Sequence, residues 1–154
     1  MKIILGADHR GIDAIRSLGE RLKLEGHSVH VLEPCTGLAC DYPEPAFKVG
    51  HQVADGSQDA GILICGTGVG MSIAANKVHG VRAAVAHDEL TAQLSKSHNN
   101  ANVLCLSADL LGQRLIEKIV DVWLKTPFEG GRHARRVRKI AAIEQGLDPA
   151  TIKE

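Results

Sequence analysis

Short apolar runs alternate with longer amphipathic stretches along the chain. The runs at 3–7, 28–32, 61–65, 81–86 and 103–106 are rich in Val, Ile, Leu and Ala on both faces, as strands are when helices cover both sides of a sheet. The stretches between and after them predict helices at 12–24, 43–54, 69–76, 88–97, 110–124 and 134–144. In the first, Ile15, Leu18 and Leu22 fall at helical spacing and Gly26 follows as a stop. The second opens behind Asp41 as a cap, with Pro43 tolerated in its first turn. The segment 33–42 carries Pro34, Gly37 and a polar end, and reads as a loop. This alternation predicts a three-layer α/β/α sandwich around a Rossmann-like, five-stranded parallel sheet. The C-terminal helix has no strand after it. It packs either on its own domain or on a neighbouring subunit.

A chain of 154 residues suits one domain spanning 1–154, since two would each be too small to bury a good core. Aromatic residues make up only 3%, so the interior must be aliphatic. Lys plus Arg and Asp plus Glu each number 18. The resulting neutrality disfavours a general nucleic-acid binder. No apolar run approaches the roughly 18 residues of a membrane span, and the first run meets Asp8 too soon for a signal peptide. Cys35, Cys40, Cys65 and Cys105 form neither C-x-x-C nor a zinc-site spacing. The expectation is a cytoplasmic protein with reduced thiols.

In open parallel sheets, ligands bind at the carboxyl ends of the strands. There the chain places Asp8-His9-Arg10-Gly11, Cys65-Gly66-Thr67-Gly68-Val69-Gly70, His87-Asp88 and Ser107-Ala108-Asp109. The loop from Gly66 to Gly70 joins a strand to a helix. Its converging amides suit an anion or a developing oxyanion, although a tight, closely packed turn would look the same. Nucleotide patterns fail: GxGxxG needs glycine where Met71 stands, and no Gly-Lys-Ser/Thr is present. Cys65 precedes the loop, and a thiol beside a helix N-terminus becomes a usable base or nucleophile. Alone it would read as a core thiol; the glycine loop and the nearby histidines favour chemistry. A tyrosine-phosphatase reading fails because Met71 stands where its arginine is required.

His98 ends a predicted helix, where histidine often serves only as a cap. It also precedes the fifth strand, so it belongs at the amino edge, opposite Cys65. It can join that thiol only through an unusual crossover or a site shared between subunits. Arg132 and Arg136 are four apart on one helix face. Two guanidiniums there match a phosphate or form a solvated basic face.

These motifs carry a resemblance. GADHRG, DYP at 41–43, ICGTGVGMSIAANK at 64–77, HNNANVL at 98–104 and EGGRHARRV at 129–137 together resemble the RpiB/LacAB family of sugar-phosphate isomerases. The resemblance implies a dimer, or a tetramer, with active sites built between two subunits. It implies aldose–ketose isomerisation of ribose 5-phosphate, with allose, galactose or erythrose phosphate as alternative substrates. It implies Cys65 as the base between C1 and C2, with Thr67 and the amides of Gly66, Gly68, Val69 and Gly70 as the enediolate cradle. It implies His98 as the ring-opening acid/base, Asp8 and Asn99 on sugar hydroxyls, and His9, Arg132 and Arg136 on the phosphate. One branch of the family places a glutamate base where this chain has Met71, which implies the cysteine branch. The family often has a Gly-x-Arg turn after the fifth strand; here Asp109 takes the arginine's place.

Such chemistry needs a base near two adjacent carbons and an oxyanion cradle, so no metal or redox cofactor is expected, and no nucleic-acid or membrane partner. A non-catalytic phosphate-binding α/β domain is the competing reading, and a thiol hydrolase a third.

Overall fold

The structure is a computed structural model that describes residues 1–32 and 40–153. The strands are β1 (Lys2–Ala7), β2 (Ser28–Val31), β3 (Ala60–Cys65), β4 (Ala83–Val85) and β5 (Val103–Ser107). The helices are α1 (Ile12–Leu24), α2 (Pro43–Ala54), α3 (Val69–Ala75), α4 (Glu89–Ser97), α5 (Gln113–Lys125) and α6 (Arg132–Glu144), followed by a short 3₁₀ turn, Pro149–Thr151. All strand pairs are parallel, in the order β2-β1-β3-β5-β4. The predicted sandwich is the one found.

The central strands are apolar on both faces because each face is covered. Ile3, Leu5, Ile62, Ile64, Leu104 and Leu106 pack with Leu18 and Leu22 of α1 and Ile116, Ile119 and Trp123 of α5. The intervening Ile4, Leu63, Cys65, Val103 and Cys105 face the other way, onto Val49 and Val53 of α2 and Met71 and Ala75 of α3. Strand periodicity thus survives inside continuous apolar runs, with alternate residues assigned to different helical layers.

Three element starts differ from the sequence expectation by two residues or more, and every other boundary agrees within one residue. β4 is shorter than 81–86 because the Val81 amide turns back to Val78 O and Arg82 N donates to Asn102 Oδ1. α5 begins at Gln113, not 110, since Leu110 N donates to Ser107 Oγ and Gly112 is extended. α6 begins at Arg132, two residues early, behind Gly131 at φ +52°.

Cys65 and Cys105 are free, whereas Cys40 is disulfide-bonded. That corrects the expectation of uniformly reduced thiols, because pairing depends on proximity that spacing alone does not reveal. Cys35 and most of the expected loop 33–42 lie outside the described residues.

Candidate active site

The apolar run of β3 ends at Cys65, whose side chain joins the layer beneath α2 and α3. Gly68 N donates to Cys65 Sγ across 3.1 Å. That bond needs the chain to double back within three residues, and Gly68 does so at φ +79°, a conformation costly for any residue with a Cβ. Val69 N donates to Thr67 Oγ1 at 3.3 Å. The loop is braced from below by β5: Ser107 Oγ donates to Gly66 O at 2.5 Å, and Ala108 N donates to Cys65 O at 2.8 Å. Tyr42 covers it from the side, its ring so near Gly70 that a Cβ there would lie 2.7 Å away.

Around this loop stand other predicted residues. Asp8 is buried and accepts the Arg10 amide at 2.8 Å. His9 is exposed, with Nδ1 3.2 Å from Cys40 O. His87, from the end of β4, places Nε2 3.3 Å from Thr67 O. This edge therefore gathers Asp8, His9, Cys65, Gly66, Thr67, Gly68, Val69 and Gly70.

The remaining candidates lie elsewhere. Cys65 is in register with Ser107, the last residue of β5, while His98 caps α4 ahead of that strand. The two are separated by a strand length, roughly 16 Å for five residues. At the amino edge His98 stacks on His133 with centroids 4.1 Å apart and planes 8° from parallel. Their Nε2 atoms lie 3.8 and 3.6 Å from Glu129 Oε2. Glu129 is held there by its amide, which donates to Ser97 O. Burial, then the neighbouring His98 and Arg132, lower the His133 pKa below the ordinary histidine value. His98, Glu129 and His133 offer donor atoms within 4.8 Å of one another, but parallel rings send their lone pairs side by side rather than towards one tetrahedral centre.

Asn99 is exposed, and its carbonyl accepts from Arg82 Nε at 3.2 Å. Arg132 and Arg136 are both exposed. Arg132 shares a hollow with Arg135 and Arg138, and Arg136 shares another with Arg135 and Lys139. The basic face is thus broader than an i, i+4 pair. Within one chain the predicted residues fall into two groups at opposite edges of the sheet. Ser107, Tyr42, Glu129 and His133 were missed as site residues. Ser107 was seen only as the end of the fifth strand, Tyr42 only within DYP, and Glu129 and His133 only within EGGRH, none with a role of its own.

The family model described as "Ribose/Galactose Isomerase" matches residues 3–140. The chain is 46% identical to ribose-5-phosphate isomerase B of Escherichia coli, covering 94% of this chain and 97% of the relative. It is 41% identical to a D-erythrulose-4-phosphate isomerase of Pectobacterium atrosepticum, covering 94% and 95%. Among solved structures, ribose-5-phosphate isomerase B of Clostridium thermocellum superposes with a TM-score of 0.92 at 46% identity, covering 95% and 99%. The Mycoplasma genitalium enzyme with bound ribulose-5-phosphate gives 0.90 at 48%, covering 93% and 95%. A thiol facing a glycine loop at the end of β3, in a fold shared at this level of identity, places the chain in the ribose/galactose isomerase family.

Proposed function

We infer that the chain is an aldose–ketose isomerase interconverting ribose 5-phosphate and ribulose 5-phosphate. The observation that carries this reading is the Gly68 amide on Cys65 Sγ, which puts a base and an oxyanion cradle side by side. The Cys65 thiolate removes the C2 proton of the open-chain aldose. The C–H electron pair forms the C1–C2 double bond, and O1 takes up the negative charge. The Thr67 hydroxyl and the loop amides between Gly66 and Gly70 stabilise that oxyanion, those of Gly68 and Val69 by turning from Cys65 Sγ and Thr67 Oγ1 to the substrate. A proton passes from O2 to O1, and the thiol returns its proton to C1 to give the ketose. Asp8 and Asn99 hold hydroxyls, and His9, Arg132 and Arg136 hold the phosphate.

The working site belongs to a homodimer, alone or within a tetramer, in which the partner's amino edge meets this chain's carboxyl edge. Two features support this. His98 and Cys65 are too far apart in one chain, and α6 leaves Ile140 and Ile143 exposed at 43% and 60%. α2 and α3 likewise expose Phe47 and Ile73, an apolar surface of the kind that oligomers bury. His98 of the second copy then opens the furanose, protonating the ring oxygen as the O1 proton leaves. No helix among the described residues is long and apolar enough to cross a membrane. The cytoplasm suits a substrate whose charge bars it from membranes.

The erythrulose-phosphate relative supports a second substrate reading, since Asp109 alters the charge at the mouth. A panel of ribose, erythrose, allose and galactose phosphates, followed by ketose formation and by solvent-deuterium uptake at C1 of the ketose, tests both. Activity on ribose 5-phosphate at least tenfold above the rest is expected. No ketose and no deuterium from any of the four would overturn the isomerase reading.

A further inference from the structure

One ion pair ties the turn after β1 to the turn after β5. Arg10 Nη2 lies 2.7 Å and Nε 3.1 Å from Asp109 Oδ1. Both partners are anchored in the framework of the site. Arg10 N donates to Asp8 Oδ1 at 2.8 Å, and Asp109 N donates to Gly66 O at 3.1 Å. The pair sits over Gly66, the residue after the thiol. A Cβ built there would lie 3.0 Å from Asp109 Oδ2 and 4.0 Å from Arg10 Cγ.

The Arg10 and Asp109 side chains are 55% and 39% exposed, and bridges this exposed contribute little to folding. Their position has a chemical consequence instead. Asp109 alone would set a negative charge beside a loop built for an oxyanion and in the path of a phosphate dianion. Arg10 offsets that charge, and the Asp109 hydrogen bond raises the arginine's pKa further. Asp109 in turn fixes the guanidinium. Of its five N–H donors, the pair engages two, on the Nε–Nη2 side. The rest are left to solvent by a side chain that is 55% exposed.

Resting on the isomerase reading, we propose that Arg10, held by Asp109, is a substrate-binding residue that takes a phosphoryl oxygen of the sugar phosphate. A guanidinium already fixed in direction loses little freedom when it binds a planar pair of oxygens. The acidic residue at 109 is then the mount for a cation and not a charge that the substrate must overcome.

The test uses Arg10→Ala, Arg10→Lys and the double variant Arg10→Ala/Asp109→Ala. Each is assayed with ribose 5-phosphate, and its binding of ribose 5-phosphate and of unphosphorylated ribose is measured by calorimetry. Arg10→Ala should raise KM and Kd for ribose 5-phosphate about tenfold or more while kcat moves less than about threefold. Ribose affinity should not change, and lysine should recover part of the loss. The double variant should keep most of the defect. Unchanged KM and Kd in Arg10→Ala overturn the proposal. So does full recovery in the double variant, because Arg10 would then only neutralise Asp109. Arg10→Gln supplies the same reading should the alanine variant not fold. Arg10-dependent binding without turnover by the wild type would sink the isomerase reading and leave this one standing. Turnover indifferent to Arg10 would do the reverse.

Discussion

Gly68 points its backbone N–H at the Cys65 sulfur across 3.1 Å, so in the proposed mechanism the loop that cradles the oxyanion also orients the base. Cys65→Ala removes the base and leaves the cradle intact. Turnover should fall by at least about a hundredfold, with the Kd for ribose 5-phosphate changed less than threefold. Stopped or steady-state ketose assays with calorimetry decide it; an alanine variant that keeps a tenth of its rate removes Cys65 from the chemistry.

The left-handed turn at Gly68 supports the same bond from the backbone. Gly68→Ala forces a Cβ into φ +79° and to 3.1 Å from the Leu106 carbonyl carbon. The conformational cost is about 1–2 kcal/mol. The variant should melt several degrees lower and lose most of its activity at temperatures where it is still folded. Retained activity in the folded variant would show that the loop's shape is not needed.

His98 is expected to act only in opening the ring. His98→Asn should slow ribose 5-phosphate, which closes to a furanose, far more than erythrose 4-phosphate, whose O4 is esterified. Equal losses on the two substrates would count against that role.

The proposed shared site predicts complementation between inactive chains. Cys65→Ala and Arg132→Ala/Arg136→Ala chains, mixed and allowed to exchange, should recover about a quarter of wild-type activity. Half of the dimers are then mixed, and each mixed dimer holds one intact site. No recovery, with exchange verified by native mass spectrometry, would place the arginines beside their own chain's thiol.

His133 gives stability a pH dependence of definite sign. Its pKa is lowered in the fold, first by burial and then by His98 and Arg132. The unfolded chain therefore binds the proton more readily. The stabilisation is complete above the ordinary histidine value near 6.5 and is lost as pH falls through the lowered folded value. Melting temperatures measured from pH 8 to 5 should drop more steeply for the wild type than for His133→Gln. Parallel slopes would mean that other groups carry the acid sensitivity.

Most of the fold was legible because each strand and helix has its own local signature. Ile62 and Leu63 are adjacent in an unbroken apolar run, and the structure sends them to different layers. Of the starts that shifted most, that of β4 was set by a partner twenty positions away, Arg82 on Asn102, and that of α5 by a side chain three residues back, Leu110 on Ser107. In the site, Cys65 and its glycines could be found from sequence because they are contiguous. His133 under His98 and Arg10 on Asp109 could not, since stacking and ion pairing join residues 35 and 99 positions apart.

On the proposed shared site, the separation of Cys65 and His98 by the length of β5 has a kinetic consequence. A solitary chain can be completely folded and still hold each half of the reaction at the wrong end of the same strand. Turnover per chain then depends on how many chains have met. Diluted below the dissociation constant of its assembly, the enzyme should lose specific activity in proportion to concentration, with its circular dichroism unaltered.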